Sequence, residues 1–398
     1  MSRHSLSRFL RPYLRINLLL LLCMVLLLCV GIAFINSACA TREGHLRWLH
    51  LQQLTQWVPV GLVIHLAIAR MPYRRLVDWS VLPYVMTLCL LVLVLIPGIG
   101  TQTSGARRWL FGFQPSEFAK FALLPAIAFI LAGCTLERGG SRLTATLVAA
   151  VIPTVLIALQ PDLGTAIVIV PATAAMLFVS GCAPRALFAM ALSGILAATV
   201  FLGLILGPEM LPLSDGTRER IERVSDRVIY PHWKKRVITF AFPDRDPLGA
   251  GWNKRQSEIA VGSGGRTGKG YLNGTQNILG FLPQSVSSTD FIFSVIAEET
   301  GFLGSVVLLV LYAGLFGAIA YAGIRCRDSC GRLLCAGVGT LLFVHVFVNI
   351  AMTVGRMPIT GLPLPLVSYG GSFTISTMAM LGLVQSVAIH GRHTEHSH

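Results

Sequence analysis

Charge is what this sequence has least of. Only 13% of its residues are Asp, Glu, Lys or Arg, and 18 of 398 are acidic. A water-soluble domain carries about 25%. Hydrophobic residues make up 54%, and the mean hydropathy is +0.69. There is too little polar surface to face water, so lipid must be the solvent. A disulfide framework is also missing. The nine cysteines lie mostly in apolar runs, and Cys326-x3-Cys330 does not make a zinc pattern. They read as small hydrophobes. The chain has no internal repeat and no low-complexity tract. The net charge of +14 does not point to nucleic acid, because Lys and Arg fall between apolar runs, as topology signals and lipid contacts do.

What is abundant is long apolar sequence. Ten runs approach or exceed the length of a membrane span: roughly 16–35, 56–70, 81–97, 117–133, 143–159, 163–181, 185–207, 290–324, 333–355 and 365–390. A span needs about 20 residues, and only helices satisfy the backbone in lipid. The second run is short. The eighth is long enough to include an interfacial stretch. The basic N-terminus and the run to Ile35 resemble a signal peptide, but about 20 apolar residues exceed a signal h-region, so the run reads as an uncleaved first span. The expectation is an all-α integral membrane protein with ten transmembrane helices, one domain over 1–398.

Arginine sets the orientation. With the N-terminus inside, the inner segments hold fourteen arginines: Arg3, Arg8, Arg11, Arg15, Arg70, Arg74, Arg75, Arg138, Arg142, Arg185, Arg325, Arg327, Arg332 and Arg392. The short outer segments hold five: Arg42, Arg47, Arg107, Arg108 and Arg356. Both termini are therefore expected in the cytoplasm. The long segment 208–289, between helices seven and eight, is then a large extracytoplasmic loop. The tail from Gly391 to His398 reads as a disordered end.

Polar residues gather at the outer helix ends: Gly105-Ala106-Arg107-Arg108-Trp109, Gln114-Pro115-Ser116-Glu117 with Lys120, Gln160-Pro161-Asp162, Asp290, and Ser368-Tyr369-Gly370-Gly371-Ser372. Charge at membrane depth is costly, so a one-sided cluster suggests a cavity open to the outside. Several of these residues admit two readings. Glu117 and Lys120 share a helix face and can pair, as a pinning ion pair or as site residues. Asp290 follows Ser287 by three positions, which spells a capping box, the reading that spacing alone favours, and a cap does not exclude a role as general base. Asp162 can be an Asx turn or N-cap. Trp109 can be a belt aromatic. Glu298 and Glu299 must face protein partners, and His345 and Asn349 suit interhelical hydrogen bonds. The tract Gly262–Gly270 is not a P-loop, since Ser263 occupies the first glycine position. It is open to a phosphate nest with Lys254, Arg255, Arg266 and Lys269, or to a flexible loop near anionic lipid.

Taken in order, Arg108-Trp109, Gln114-x-x-Glu117-x-x-Lys120, Gln160-Pro-Asp-Leu-Gly-Thr165, Thr289-Asp-Phe-Ile-Phe293 with Glu298-Glu299, and Pro365-x-x-Ser-Tyr-Gly-Gly-Ser372 resemble the SEDS family (shape, elongation, division and sporulation proteins). Asp246-Pro-Leu-Gly249, Gln256-Ser257, Gly274-Thr-Gln276 and Leu279-Gly-Phe-Leu-Pro283 look more like its elongation branch than its division branch. Two positions depart from the pattern. Ser288 stands where His is frequent, and Gln284 where Glu is usual. The resemblance implies ten helices in the bacterial inner membrane and polymerisation of lipid II into β-1,4 glycan strands on the outer face, from undecaprenyl-pyrophosphate-linked glycan. It implies a class B penicillin-binding transpeptidase, membrane lipids and other elongation-complex proteins as partners. It makes Asp290, Glu117 and Lys120 the candidate catalytic residues. Trp109, Arg108, Gln114, Ser116, Asp162, Lys269, Ser368 and Gly370 are the candidate substrate-binding residues. It also implies a divalent cation, Mg²⁺ or Mn²⁺. With no dedicated protein cage in sight, that ion would be shared between substrate pyrophosphate and Asp290 or Asp162. A lipid II flippase, a division-specific polymerase and a non-catalytic scaffold are the competing expectations.

Overall fold

A computed structural model of the chain describes residues 16–39, 48–103, 106–133, 140–212, 214–246, 249–282 and 284–391. Arg3, Arg8, Arg11, Arg15, Arg42, Arg47, Cys134, Arg138, the tail from Arg392, and the motif residues Gly105, Pro247, Leu248 and Pro283 lie outside the described residues. The elements in chain order are α1 (Leu18–Cys39), α2 (Trp48–Gln52), a π turn (Gln53–Trp57), α3 (Val58–Arg70), α4 (Tyr73–Asp78) and α5 (Val81–Leu95). A two-stranded hairpin, β1 (Thr101–Thr103) and β2 (Ala106–Trp109), follows. Then come α6 (Pro115–Gly133), α7 (Gly140–Leu159), α8 (Leu163–Val179), α9 (Pro184–Met210), α10 (Asp215–Val228), α11 (Pro231–Ala241), α12 (Ala250–Ser263), α13 (Thr275–Ile278) and α14 (Gln284–Ser287). The chain ends on α15 (Ile292–Arg325), α16 (Ser329–Thr353) and α17 (Gly371–His390).

Each of the ten apolar runs carries a helix. Seven of these, α1, α6, α7, α9, α15, α16 and α17, are long and apolar enough to cross a bilayer unaided. Helices α5 and α8 are apolar but shorter, and α3 has 13 residues. The short second run is extended at its N-terminal end by α2 and the π turn, which no apolar pattern marks.

Helix α17 is the hub. It is buried on every side, although it carries Ser372, Thr374, Ser376, Thr377, Gln385 and Ser386. Small residues let α3 approach it closely. A Cβ on Gly61 would fall 2.5 Å from Met378 Sδ, and one on Gly382 would fall 2.7 Å from the His65 carbonyl oxygen. Contact at that distance recovers the dispersion energy that drives helix association in lipid, where no hydrophobic force separates helix from solvent.

Segment 208–289 is largely helical rather than an open loop. Helices α10, α11 and α12 form a polar layer tied by ion pairs. Glu209 at the end of α9 meets Arg245 at 2.7 Å and Arg218 at 3.8 Å, and Lys234 meets Asp226 at 2.8 Å.

The glycine tract after α12 has a structural task. Helix α15 breaks at Gly301, where φ is 68° and ψ is −161°. The break would orphan backbone groups inside the protein. Phe302 N–H donates to Gly265 O (2.9 Å) and Leu303 N–H to Arg266 O (3.1 Å). In return Lys269 N–H donates to Glu298 O (3.1 Å) and Gly270 N–H to Glu299 O (3.0 Å). Two of the tract's amides, those of Lys269 and Gly270, are thus committed to the broken helix and the tract is tied down by it. The buried carboxylates beside the break also have partners. Glu298 takes Lys269 Nζ at 2.6 Å and the Gln276 N–H at 3.0 Å. Glu299 takes Ser37 Oγ at 2.5 Å and the Leu272 N–H at 3.2 Å.

Candidate active site

Asp290 lies in the turn before α15. The capping box spelled by Ser287 and Asp290 does not form, because α15 starts at Ile292 with Phe291 at its N-cap and no side-chain cap. The turn is held by its carbonyls instead. Tyr369 N–H donates to Ser288 O (2.9 Å), Ser368 Oγ–H to Thr289 O (2.6 Å), and Asn349 Nδ2–H to Asp290 O (2.9 Å). Asn349 spans to Leu362 O (2.7 Å) with the same amide. Ser368 therefore acts through position, fixing the turn that presents the carboxylate. Three consecutive carbonyls are anchored while the Asp290 carboxylate accepts no hydrogen bond from the described residues.

Two guanidinium groups face that carboxylate, Arg236 from α11 and Arg108 from β2. Burial pushes the Asp290 carboxyl up from 3.8 to about 6. Arg236 and Arg108 pull it back down, and Asp162 adds to the rise. Burial and Arg108 push Arg236 below its ordinary value, against the pull of Asp290 and Asp162. Gly361 closes the site. Its φ of +77° is open to glycine, and a Cβ there would stand 3.5 Å from Asp290 Oδ2 and 3.8 Å from Arg236 Nη2.

Arg108 and Asp162 are fixed to the scaffold. Arg108 donates from Nε to Gln160 O (3.3 Å) and from Nη2 to Pro161 O, and it stands 3.8 Å from Asp162 Oδ1. Asp162 is the N-cap of α8, accepting from Thr165 N–H (3.3 Å). Its second oxygen accepts from Gln114 Nε2–H (3.0 Å). The Gln114 N–H in turn reaches Ser372 Oγ (3.1 Å).

A second tier is fully buried. Lys120 Nζ donates to Glu117 Oε1 at 2.9 Å and to His345 Nε2 at 3.0 Å, and it stands over the Phe373 ring at 5.5 Å. The charge of Asp162 acts on both Asp290 and Glu117, so Asp162 links the tiers. Asp290's charged neighbours are Arg236, Arg108 and Asp162, not Lys120. Ser116 is buried beside Glu117, with no hydrogen bond to its hydroxyl among the described residues.

The other candidates are dispersed. Trp109 is half-buried at the end of β2, in register with Thr101. The Gly370 N–H points to Gln53 Oε1 at 3.5 Å. Lys269 is committed to Glu298 and Thr275 and does not join the Asp290 group. Two contributors had escaped notice. Arg236 sits in a polar stretch where local sequence gives it no distinction. Gln53 occupies the π turn and donates to Thr374 Oγ1 at 2.8 Å, a register shift that apolar periodicity cannot reveal.

The donors fit a resident metal poorly. No group of three or more His, Cys, Asp or Glu side chains able to hold an ion occurs among the described residues. Both Asp162 oxygens are engaged, and two guanidiniums already face Asp290. A cation here would have to bring most of its ligands with it.

The model of the family described as Cell cycle protein, which groups FtsW, RodA and SpoVE, matches residues 17–393. The chain is 37% identical over 337 residues to the peptidoglycan glycosyltransferase MrdB of Escherichia coli K12, covering 84% of each protein. It is 34% identical over 422 residues to the peptidoglycan glycosyltransferase RodA of Treponema pallidum, covering 93% of this chain and 96% of that one. A chain from a solved peptidoglycan synthase complex that coordinates polymerization and crosslinking superposes with a TM-score of 0.73 at 30% identity, covering 94% and 98% of the two chains. RodA of Thermus thermophilus superposes at 0.65 with 27% identity, covering 94% and 97%. With a family match over nearly its whole length and relatives above 30% identity, this chain belongs to the FtsW/RodA/SpoVE family, the SEDS proteins.

Proposed function

We propose that the chain is a peptidoglycan glycosyltransferase that polymerises lipid II into β-1,4-linked glycan at the outer face of the cytoplasmic membrane, in cell elongation. The carrying observation is Asp290. It is a carboxylate with a raised pKa, held by its backbone, without a hydrogen bond to its oxygens among the described residues, and faced by two guanidiniums. A general base needs a proton affinity near neutrality and a free lone pair. A lipid-linked pyrophosphate needs cations at the membrane surface.

The reaction follows from those two needs. The 4-hydroxyl of the incoming disaccharide attacks the anomeric carbon of the strand's terminal sugar. A carbon–oxygen bond forms and the bond to the pyrophosphate oxygen breaks, the electron pair leaving with the polyprenyl pyrophosphate. Asp290 takes the hydroxyl proton. The anomeric centre inverts, as in other single displacements at a sugar carbon. Arg108, Gln114 and Asp162 form a fixed wall against which the sugar–pyrophosphate is placed. Glu117, Lys120 and His345 support that wall from below. A divalent ion carried in by the pyrophosphate would add charge neutralisation, held mainly by pyrophosphate and water oxygens.

The arginine asymmetry supports cytoplasmic termini. The likeness to MrdB and RodA supports the elongation role. The solved complex supports a crosslinking partner, here expected to be a class B penicillin-binding transpeptidase. The test is incubation of the purified full chain with lipid II, with and without Mg²⁺ or Mn²⁺. Long glycan is expected from the native protein and none from Asp290→Asn. Polymer from the Asn variant, or none from a folded native protein together with its partner, would overturn the assignment.

A further inference from the structure

The two guanidiniums beside Asp290 are not equivalent. Arg108 donates to two backbone carbonyls, Gln160 O and Pro161 O, and is ion-paired with Asp162 at 3.8 Å. Arg236 makes one fixed bond, from Nη1 to Thr360 O at 2.7 Å. Its other N–H groups take no hydrogen-bond acceptor among the described residues. Of the opposite charges acting on it Asp290 is the stronger and Asp162 the weaker, and a Cβ on Gly361 would touch both Asp290 Oδ2 and Arg236 Nη2. Arg236 also lines a small cavity with Thr239, Phe240, Lys254 and Ile359. Lys254 stands over the Phe240 ring at 4.5 Å and donates to Phe240 O at 3.2 Å. A cation with unspent donors thus adjoins the base, and the void beside it is no larger than a water molecule.

We infer that Arg236 is the leaving-group residue, a mobile charge that serves the Asp290 carboxylate before reaction and the departing pyrophosphate during it. The inference rests on the glycosyltransferase reading above. When Asp290 accepts the hydroxyl proton its negative charge disappears. In the same step the carbon–oxygen bond to the pyrophosphate breaks, and one further negative charge gathers on the leaving oxygens. The charge that Arg236 had balanced is lost where a new one arises a few ångströms away. A planar fork with free N–H groups can accept that exchange without moving far. Arg108, tied to two backbone carbonyls and paired with Asp162, positions substrate and does not take part in the exchange.

The experiment uses the purified full chain with lipid II at pH 5 to 8.5, comparing native protein with Arg236→Gln, Arg236→Lys and Asp290→Asn. Removing one preorganised donor to a developing anion costs about 100- to 1000-fold in kcat, and that loss is expected for Arg236→Gln, with KM changing much less. The groups facing Asp290 are Arg236, Arg108 and Asp162. Taking away Arg236 removes an attraction for the charged carboxylate, so the acid limb of the rate profile should move to higher pH. Arg236→Lys should keep the limb near its native position while recovering only part of the rate, because charge returns without the fork. Inorganic pyrophosphate should inhibit the Gln variant more weakly than native protein.

A Gln variant with near-native kcat, an unmoved limb and unchanged inhibition overturns the inference. Should that variant not fold, Arg236→Lys decides alone, and full native rate in it overturns the requirement for the fork. If native protein polymerises and Asp290→Asn does not, the glycosyltransferase reading stands whatever Arg236 does. If that pair fails to differ, the reading itself has failed.

Discussion

Replacing Lys120 by Met isolates the cost of the buried tier. Lys120 has no solvent exposure and Glu117 has 3%. Their contact is 2.9 Å. The substitution keeps the aliphatic volume and removes one charge, leaving the Glu117 carboxylate buried with Oε2 already lacking a partner. Breaking a buried pair this way costs about 3–5 kcal/mol, or roughly a thousandfold in the folding equilibrium. His345 Nε2 also loses its 3.0 Å partner. Replacing Glu117 by Met as well removes the stranded carboxylate, and the remaining penalty should shrink to the unpaired imidazole, about 1–3 kcal/mol. The double variant is thus expected to be more stable than the single one, by reversible unfolding in mixed micelles. If the tier supports catalysis and does more than hold helices together, glycan synthesis stays lost in the double variant. A single variant as stable as native protein, or a double variant no better than the single, would refute the ion-pair account. Native activity in the double variant would remove Glu117 and Lys120 from the site.

Two further outcomes follow from positions already described. Gly301→Ala places a Cβ 2.3 Å from the Gly268 nitrogen, at a φ of +68°, so the break and its pairing with the glycine tract cannot both persist. The yield of monodisperse protein should collapse, and native yield with native unfolding would contradict the account. For pH, Asp290 must be ionised to act as a base, and its carboxyl sits at about 6. The rate should halve near pH 6 and fall tenfold for each further unit below, in single-turnover assays. Because the folded value exceeds the unfolded one, the folded chain holds this proton longer, and the group lowers stability as pH rises from about 4 to about 6. A flat rate between pH 5 and 8 would exclude Asp290 as the base.

Much of the fold was legible because lipid leaves few options. Each of the ten apolar runs carries a helix, seven of them long and apolar enough to span a bilayer, and the one-sided polar residues marked where helices end. Pairing along one helix was equally legible. Glu117 and Lys120 are three apart and meet, and Asp162 caps α8 as a turn aspartate should. Contacts between distant segments were not legible. Arg236 lies 54 residues before Asp290 and reaches it only because α11 folds back over the helix ends. Lys269 looked like a phosphate ligand in a glycine-rich tract, yet its Nζ closes on the buried Glu298 carboxylate and its N–H on the Glu298 carbonyl, both beside the break at Gly301. The capping box at Ser287 and Asp290 was the better local pattern, and it lost to three tertiary hydrogen bonds that hold the same turn.

That outcome bears on why the carboxylate is reactive. Had Asp290 capped α15, its oxygens would have been occupied by backbone N–H groups, its proton affinity would have fallen, and it could not have served as a base near neutral pH. Moving the anchoring onto the Ser288, Thr289 and Asp290 carbonyls keeps the position fixed and leaves the oxygens free. Asn349 and Ser368 are therefore as necessary to the base as the carboxylate itself, although neither could contact substrate through the groups that hold the turn. Burial alone would then leave Asp290 too reluctant to ionise. The opposing guanidiniums restore the balance, and their unequal attachment decides which of them is free to follow the charge when the proton moves.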